Sequence, residues 1–365
     1  MKFTIGTELM KDVVARAIKG AGNNKLIPIT GMMCIRLQNG DLTVITTDAT
    51  NYLYIKEQHV AGDDFYVVVD ANQFAKLVGK MTSDNITMTV DSNFTLTVKG
   101  NGTYKIELPI DEDGNLVKFP DTVVTANTDK ELTLNRSTIQ VILETIKPAL
   151  AVTMENPQYT AYYMADKVVA TDSYKIASLN IPIFDEPRLV SSELIDLVSV
   201  MRAEKIATSI GDTDIVLETP DCTIVGKFAD GLDDFAIEPI SNLVNQEFDS
   251  FCSVPKNELL QTLDRLSLFV GTYDKNAVDL TFTKEGLQIS SKASSGVEII
   301  NYISSNNHTD YTCAVDILML IQEVKAIQND KIEMYYGDDS SIKLVDGNIT
   351  IVIALMDDES DYEEE

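Results

Sequence analysis

Apolar and polar positions alternate over Lys2-Phe3-Thr4-Ile5-Gly6, which predicts a strand. The period then changes. Leu9, Met10, Val13, Val14, Ala17 and Ile18 fill one half of a helical wheel, predicting a helix from a Thr7 cap to about Gly20. The other half of the wheel holds Lys11, Arg16 and Lys19, with Glu8 and Asp12 among them. Leu26-Ile27-Pro28-Ile29 leads into a hairpin with arms at 31–38 and 42–48, turning at Asn39-Gly40-Asp41. Asn-Gly readily takes the positive φ angles of a tight hairpin turn. Strands at 51–57 and 65–69 follow. Asp70 then caps a second helix, with Phe74, Leu77, Val78 and Met81 at i, i+3, i+4 and i+7 and with Lys76 and Lys80 one turn apart. Strands at 86–90, 94–99 and 103–108 precede a polar loop from Pro109 to Pro120.

The same order restarts twice. Glu131–Leu134 predicts a strand, and Asn135 caps a helix carrying Ile139, Ile142, Leu143 and Ile146 with Arg136 and Lys147. Ser192 caps a helix with Leu194, Ile195, Val198 and Met201, followed by Arg202 and Lys205. Ser250–Val254 predicts another strand, and a helix opens near Pro255 with Leu259, Leu260, Leu263 and Leu266, plus Lys256 and Arg265. Asp316 caps the last helix, with Leu320, Ile321, Val324 and Ile327, plus Lys325 and Lys331. Helix starts therefore fall near 7, 135 and 255, and again near 70, 192 and 316. Both series step by about 120 residues, a domain-sized period too long for a solenoid. The expected domains are 1–125, 126–247 and 248–365. Each helix needs a sheet to cover its apolar face, so two strand–helix–strands units per domain give a two-layer α+β core.

A strand–turn–strand signature repeats with the same period. Its clearest copy runs from Val168 to Leu179, with Thr171-Asp172-Ser173 at the turn, where Asp and Ser side chains can bond the nearby backbone. Leu42–Ile55 is the same device, and Leu287–Ile300 is a degraded third copy.

Composition narrows the classes. An apolar fraction of 44% in 365 residues describes globular protein and not a disordered chain. No run of about 20 apolar residues predicts a membrane span, and the N-terminal residues show no apolar core of a secretory signal. Cys34, Cys222, Cys252 and Cys313 are scattered without a CxxC and are expected as buried thiols in a reducing cytoplasm. His59 and His308 have no partner at ligand spacing, so no metal site, cofactor or histidine-based catalysis is expected.

The net charge is −28, spread unevenly as −3, −11 and −14 over the three expected domains. Net charge governs long-range steering and not the sign of one surface. All six predicted helices nonetheless carry Lys or Arg on the polar side. With sheets outside and helices inside, these bases collect on one inner surface that attracts phosphate without reading sequence.

At this point the chain resembles a known family. Met1-Lys2-Phe3-Thr4, Leu26-Ile27-Pro28-Ile29, Leu42–Asp48, and above all Val169-Ala170-Thr171-Asp172 with Tyr174-Lys175-Ile176-Ala177 are similar, in order and spacing, to the bacterial DNA polymerase III beta subunit, the sliding clamp, in a divergent form of phage type. The resemblance extends over the whole chain. It implies three repeated domains of the DNA-clamp type and a head-to-tail homodimeric ring, with helices lining the channel and sheets forming the rim. It implies a non-catalytic processivity factor of the bacterial cytoplasm, including that of a phage-infected cell. Its partners would be duplex DNA, a DNA polymerase and a clamp loader.

The resemblance also assigns residues. Lys11, Arg16, Lys19, Lys25, Lys76, Lys80, Arg136, Lys147, Arg202, Lys205, Lys256, Arg265 and Lys325 are expected to face a DNA channel. A partner-peptide groove between the second and third domains would involve Thr171, Tyr174, Lys175, Ile176, Ile317, Ile353, Leu355 and Met356. Subunit pairing would use Thr103-Tyr104-Lys105-Ile106 against Phe269-Val270. Three departures stand out. Ser173-Tyr174-Lys175-Ile176 replaces the family's Gly-His-Arg-Leu. Asp233-Asp234-Phe235-Ala236-Ile237 lacks two arginines of the family's groove. Val352–Met356 stands where the family's apolar C-terminus lies, and an acidic tail over 357–365 extends beyond it.

Two other readings compete. Asp63-Asp64, Asp233-Asp234 and Asp338-Asp339 are the pairs a metal-dependent hydrolase could use, although each sits in a predicted turn. An acidic mimic of DNA that blocks host factors would show carboxylate surfaces and no basic channel.

Overall fold

In a computed structural model, residues 1–120, 130–271, 275–292, 295–306 and 310–356 are described. The acidic tail and the expected boundary at 125 lie outside them. Seven α-helices occur among the described residues: α1 Thr7–Ala17, α2 Ala71–Gly79, α3 Arg136–Val141, α4 Ser192–Val198, α5 Ile237–Asn245, α6 Lys256–Leu266 and α7 Ile317–Ala326. Six begin within two residues of their expected starts. The periodicity located them because each keeps an apolar stripe against a sheet, as in α6, where Leu259, Leu263 and Leu266 are buried.

The caps are partly as expected. The Asp70 carboxylate accepts from the Gln73 N–H at 2.7 Å, and Asp316 accepts from Leu318 and Met319 at 2.7 and 3.1 Å. Thr7 does not cap α1: it is the first helical residue, and its buried hydroxyl makes no hydrogen bond. Asn135 ends a strand, and the Glu204 carboxylate meets the start of α3 instead, accepting from the N–H of Ser137 at 3.1 Å. Beyond α3 the chain continues as a π turn at Ile142–Ile146 and a 3-10 turn at Lys147–Ala149, where Pro148 lacks the N–H that a longer helix would use.

The chain forms two compact units. One comprises Met1–Ile139 and Glu193–Phe228, the other Gln140–Ser192 and Ala229–Glu365. The N-terminal unit holds an eight-stranded antiparallel sheet. Its order is Phe65–Asp70, Met32–Gln38, Asp41–Thr47, Tyr52–Glu57, Cys222–Lys227, Asp214–Thr219, Lys205–Ile210 and Lys130–Asn135. The central join pairs Ile55 with Cys222 and Tyr52 with Val225. A four-stranded sheet, Lys2–Gly6, Asn85–Val90, Thr95–Lys99 and Thr103–Glu107, completes the unit. Asn39 and Gly40 take φ of 52° and 86° at the predicted hairpin turn. Helix α1 ends tightly on the longer sheet: a Cβ on Gly20 would stand 2.7 Å from Leu53 Cβ, so only glycine permits this approach.

The C-terminal unit repeats the plan. Its nine-stranded sheet runs Arg188–Ser191, Ala161–Met164, Val168–Thr171, Lys175–Leu179, Ile349–Ala354, Ser341–Asp346, Lys331–Tyr336, Ser250–Pro255 and Ser304–Ser305. The join here pairs Lys175 with Ile353 and Leu179 with Ile349. A second four-stranded sheet has the order Val297–Ile300, Leu287–Ser291, Ala277–Phe282 and Tyr311–Asp316. Tyr163, Val169, Ile176, Phe235, Ile240 and Val352 form one core cluster, with Ile237 and Val244 of α5 packed on it. No described helix is long and apolar enough to cross a membrane.

Candidate functional site

The repeated turns come first, because they anchor the strands around them. Thr171 Oγ1 donates to the Lys175 carbonyl at 2.7 Å, and the Ser173 N–H donates back to Thr171 Oγ1 at 3.1 Å. Asp172 Oδ1 accepts from the N–H groups of Tyr174 and Lys175, both at 2.9 Å. The earlier copy matches atom for atom. Thr47 Oγ1 donates to the Asn51 carbonyl at 2.7 Å, and Asp48 Oδ1 accepts from Thr50 and Asn51 at 2.8 and 2.6 Å. Ala49 and Ser173 occupy the same left-handed position, with φ of 87° and 80°. The shared sequence pattern is thus a shared hydrogen-bonded turn.

The expected channel cations divide into two groups. Many are committed internally. Arg16 is only 11% exposed: Nε donates to the Val200 carbonyl at 3.0 Å, and the guanidinium lies 2.8 Å from Asp221 and 3.9 Å from Asp12. Arg202 pairs with the same Asp12, and Lys11 with Glu8 at 2.8 Å. Arg136 donates to the Met201 carbonyl at 3.1 Å. Lys256 donates to the Ile327 carbonyl at the end of α7, and Arg265 makes two bonds to Glu298. Lys147 is half-buried and also partnered. Arg16, Arg136 and Lys256 are therefore engaged by protein groups. Their partners lie 65 to 205 residues away, out of reach of any helical-wheel argument. Lys19, Lys25, Lys76, Lys80, Lys205 and Lys325 are exposed, with no ion-pair or hydrogen-bond partner for their ammonium groups among the described residues.

The expected groove residues are brought together only in part. The strand Lys175–Leu179 pairs with Ile349–Ala354, and the Ala354 N–H donates to the Tyr174 carbonyl at 2.9 Å. Tyr174 is 67% exposed beside half-exposed Leu355 and Met356. Ile317 and Ile353 are fully buried core residues, and Ile176 is covered from the α5 side. Thr171 is buried and spent in the turn. Lys175 turns inward, 3.0 Å from Glu323 of α7 and 2.8 Å from Gln322. Burial pushes the Glu323 carboxyl above the usual carboxylate range, while Lys175 pulls it back. Helix α5 was missed, although Ile237, Ile240 and Val244 recur at helical spacing.

Each four-stranded sheet has one edge strand that bears on subunit pairing. Thr103–Glu107 ends one four-stranded sheet, with Tyr104 exposed and Ile106 half-buried; Val297–Ile300 ends the other. Phe269-Val270 is not the third-domain pairing strand: Ser267–Phe269 is a 3-10 turn, and its Phe269 ring lies beside Gly296, next to the Val297–Ile300 edge. Leu268, Val297 and Ile299 are exposed there at 81%, 49% and 57%, and the sequence reading passed over all three.

Hydrogen bonds engage carboxylates of two of the three aspartate pairs. Asp63 accepts from the Lys2 N–H, Asp64 from the Asn39 N–H, and Asp338 from Ser340 and Gln246. No cluster of three or more His, Cys, Asp or Glu able to hold a metal occurs among the described residues.

The sheets, the joins between them and the repeated turns define a DNA sliding clamp fold. Solved structures agree over nearly the whole length. The beta subunit of DNA polymerase from Streptococcus pyogenes superposes with a TM-score of 0.86 at 15% identity, covering 98% of this chain and 100% of that one. The DNA polymerase sliding clamp from Bacillus subtilis gives 0.85 at 16%, with 98% and 99% covered. The beta subunit from Thermotoga maritima gives 0.83 at 17%, with the same coverage. No curated protein matches the chain by sequence. Residues 1–114 match the family of the DNA polymerase III beta subunit, N-terminal domain.

Proposed function

We propose that this chain is a sliding clamp that closes as a head-to-tail homodimeric ring around duplex DNA and tethers a DNA polymerase. A clamp loader places it there, in the bacterial cytoplasm. The chain is three domains, 1–125, 126–247 and 248–365, each contributing two sheet halves.

The observation that carries this reading is the strand arithmetic. The strand after the Asp48 turn, Tyr52–Glu57, joins Cys222–Lys227 of the next repeat. The strand after the Asp172 turn, Lys175–Leu179, joins Ile349–Ala354 of the repeat after that. The strand after the third, degraded turn is Val297–Ile300, and among the described residues it has no such neighbour. The strand still awaiting one is Thr103–Glu107, the first-repeat counterpart of Cys222–Lys227 and Ile349–Ala354. Open edges with exposed apolar residues invite pairing. A second copy supplies the missing partner at both ends, and two chains close the cycle. Lysines on the helices then meet phosphates without reading bases.

Topology tests this. Loaded on closed circular DNA, the protein should stay bound in high salt and leave when the circle is cut, because a link needs no counterion exchange. Binding to linear duplex should be weak and salt-labile. Equal salt-lability on circular and linear DNA, with a native loader present, would overturn encirclement.

A further inference from the structure

Helix α5 is held lightly. Of its nine residues only Ile240 is buried, while Ile237 and Val244 are half-buried and Leu243 is exposed. The equally long α2 buries three residues, α6 four and α7 six. No side chain caps the start of α5. Among the described residues its side chains make one hydrogen bond, from Lys167 Nζ to Ser241 Oγ at 2.7 Å. A segment with so little buried apolar contact opens locally, at a small part of the free energy of global unfolding. The chain on either side is fixed. Phe235 is buried, stacked on Tyr163 and edge-on to Tyr159, each with ring centroids 5.4 Å apart. Beyond the helix, Gln246 Nε2 donates to Asp338 at 2.8 Å, and the Lys343 ammonium donates to the Gln246 carbonyl while lying 5.1 Å from the Phe248 ring. Helix α5 is thus a strap between two anchors.

Beneath the strap lies an apolar patch. Helix α5 packs on the strands Lys175–Leu179 and Ile349–Ala354, where they pair. Ile240 clusters with Ala161, Val169, Ile176 and Val352, and Ile237 and Val244 pack against the same cluster. Ile237, Ile240 and Val244 stand at i, i+3 and i+7, the anchor spacing of a helix laid in an apolar groove. Glu238, Asn242 and Asn245, also one face of the helix, are exposed to water. The surface under α5 therefore already accepts one amphipathic helix, supplied by the chain itself.

Resting on the clamp reading, in which a partner polymerase is tethered, we propose that α5 is a displaceable lid. In the closed state it occupies a docking surface for an amphipathic helical segment with apolar residues at i, i+3 and i+7. An incoming helix of that pattern takes its place over Ile176 and Val352. A helix with a charge on the same face is rejected, because the patch offers that charge no partner. The lid also sets a threshold, since apparent affinity falls with the fraction of time the patch is open. The anchors at Phe235 and Gln246 keep the displaced strap close, so it returns when the ligand leaves.

Hydrogen exchange on the wild-type protein is the first test. Amides of residues 240–245 should exchange at least about 10-fold faster than those of residues 176–179 in the strand beneath, by an opening that urea hardly accelerates. Exchange at one common rate that rises with urea overturns the proposal. The second test uses a fluorescein-labelled synthetic peptide of residues 236–246, followed by anisotropy. Ile240→Asp frees the strap and should bind this peptide at least about 10-fold more tightly than wild type does, the factor for a patch open a tenth of the time. A peptide that itself carries Ile240→Asp should bind neither protein. Ile237→Asp/Val244→Asp, at half-buried positions, serves in the same way if Ile240→Asp fails to fold. Peptide affinity no tighter in a folded variant than in wild type overturns the proposal. Retention on closed circular DNA in high salt is read separately. If retention persists while exchange or peptide binding fails, the clamp reading stands and the lid falls. If retention is absent while both behave as stated, the docking surface and its lid stand without the clamp.

Discussion

Lys175 Nζ lies 3.0 Å from a carboxylate oxygen of Glu323, and the two side chains are 5% and 0% exposed. The pair ties the strand after the Asp172 turn to α7. Glu323 Oε2 has no hydrogen-bond partner among the described residues, so the lysine is its main compensation. Removing the lysine leaves a buried charge, which costs about 3–5 kcal/mol. Lys175→Met should therefore be strongly destabilising, and Lys175→Met/Glu323→Leu should recover much of the loss. The single variant also has a pH signature. Burial already raises the Glu323 pKa in the folded state. Without Lys175 the rise is larger, so the folded state holds that proton more tightly than the unfolded state does. Low pH then favours folding, and the deficit grows as pH climbs from the unfolded carboxylate range through the raised value. Urea unfolding at pH 5 and pH 8 checks the sign; a deficit larger at pH 5 would contradict it.

The open edges make a prediction about mass. Ile299→Asp with Leu268→Asp places charge on the exposed residues beside the Val297–Ile300 edge without touching the buried core. Light scattering should report about one 40.3 kDa chain for the variant and twice that for the wild type. A variant that stays dimeric would place the subunit contact elsewhere.

The turn at Asp172 is expected to matter for stability although Ser173 and Tyr174 within it are exposed. Asp172→Ala removes the acceptor for two backbone N–H groups and should cost about 1–3 kcal/mol. Asp48→Ala should cost a similar amount for the same reason. Ser173 sits at φ 80°, so Ser173→Gly should be tolerated and Ser173→Val should lose about 1–3 kcal/mol. Chemical denaturation of the four variants compares them directly. Equal stability of Ser173→Gly and Ser173→Val would mean the left-handed turn is not kept in solution.

Burial pushes the thiols of Cys222, Cys252 and Cys313 up to about 12. At pH 8 only on the order of one in ten thousand would be thiolate, the reactive form. Native protein should react with a disulfide reagent at these positions far more slowly than unfolded protein, by at least about 100-fold. A fast burst of three equivalents from the native state would show that the thiols are accessible.

The sequence by itself determined the features whose causes are local. Helix starts near 7, 70, 135, 192, 255 and 316 follow from apolar spacing within one or two turns. The Asp70 and Asp316 caps and the Asp48 and Asp172 turns need only a short polar side chain within a few residues of the N–H it accepts from. The internal period gave the repeated architecture, because equivalent local patterns fold alike. Tertiary structure alone decided what each exposed-looking side chain does. On a helical wheel Arg16 and Lys19 are equally cationic, yet Asp221 and the Val200 carbonyl claim the first and leave the second in water. Ile317 and Ile353 look like groove residues until the sheet closes over them. The open edge is Val297–Ile300 and not Phe269-Val270, because an edge is defined by the partner a strand lacks. Charge pairing, burial and strand order are set by residues distant in the chain, and those distances exist only after folding.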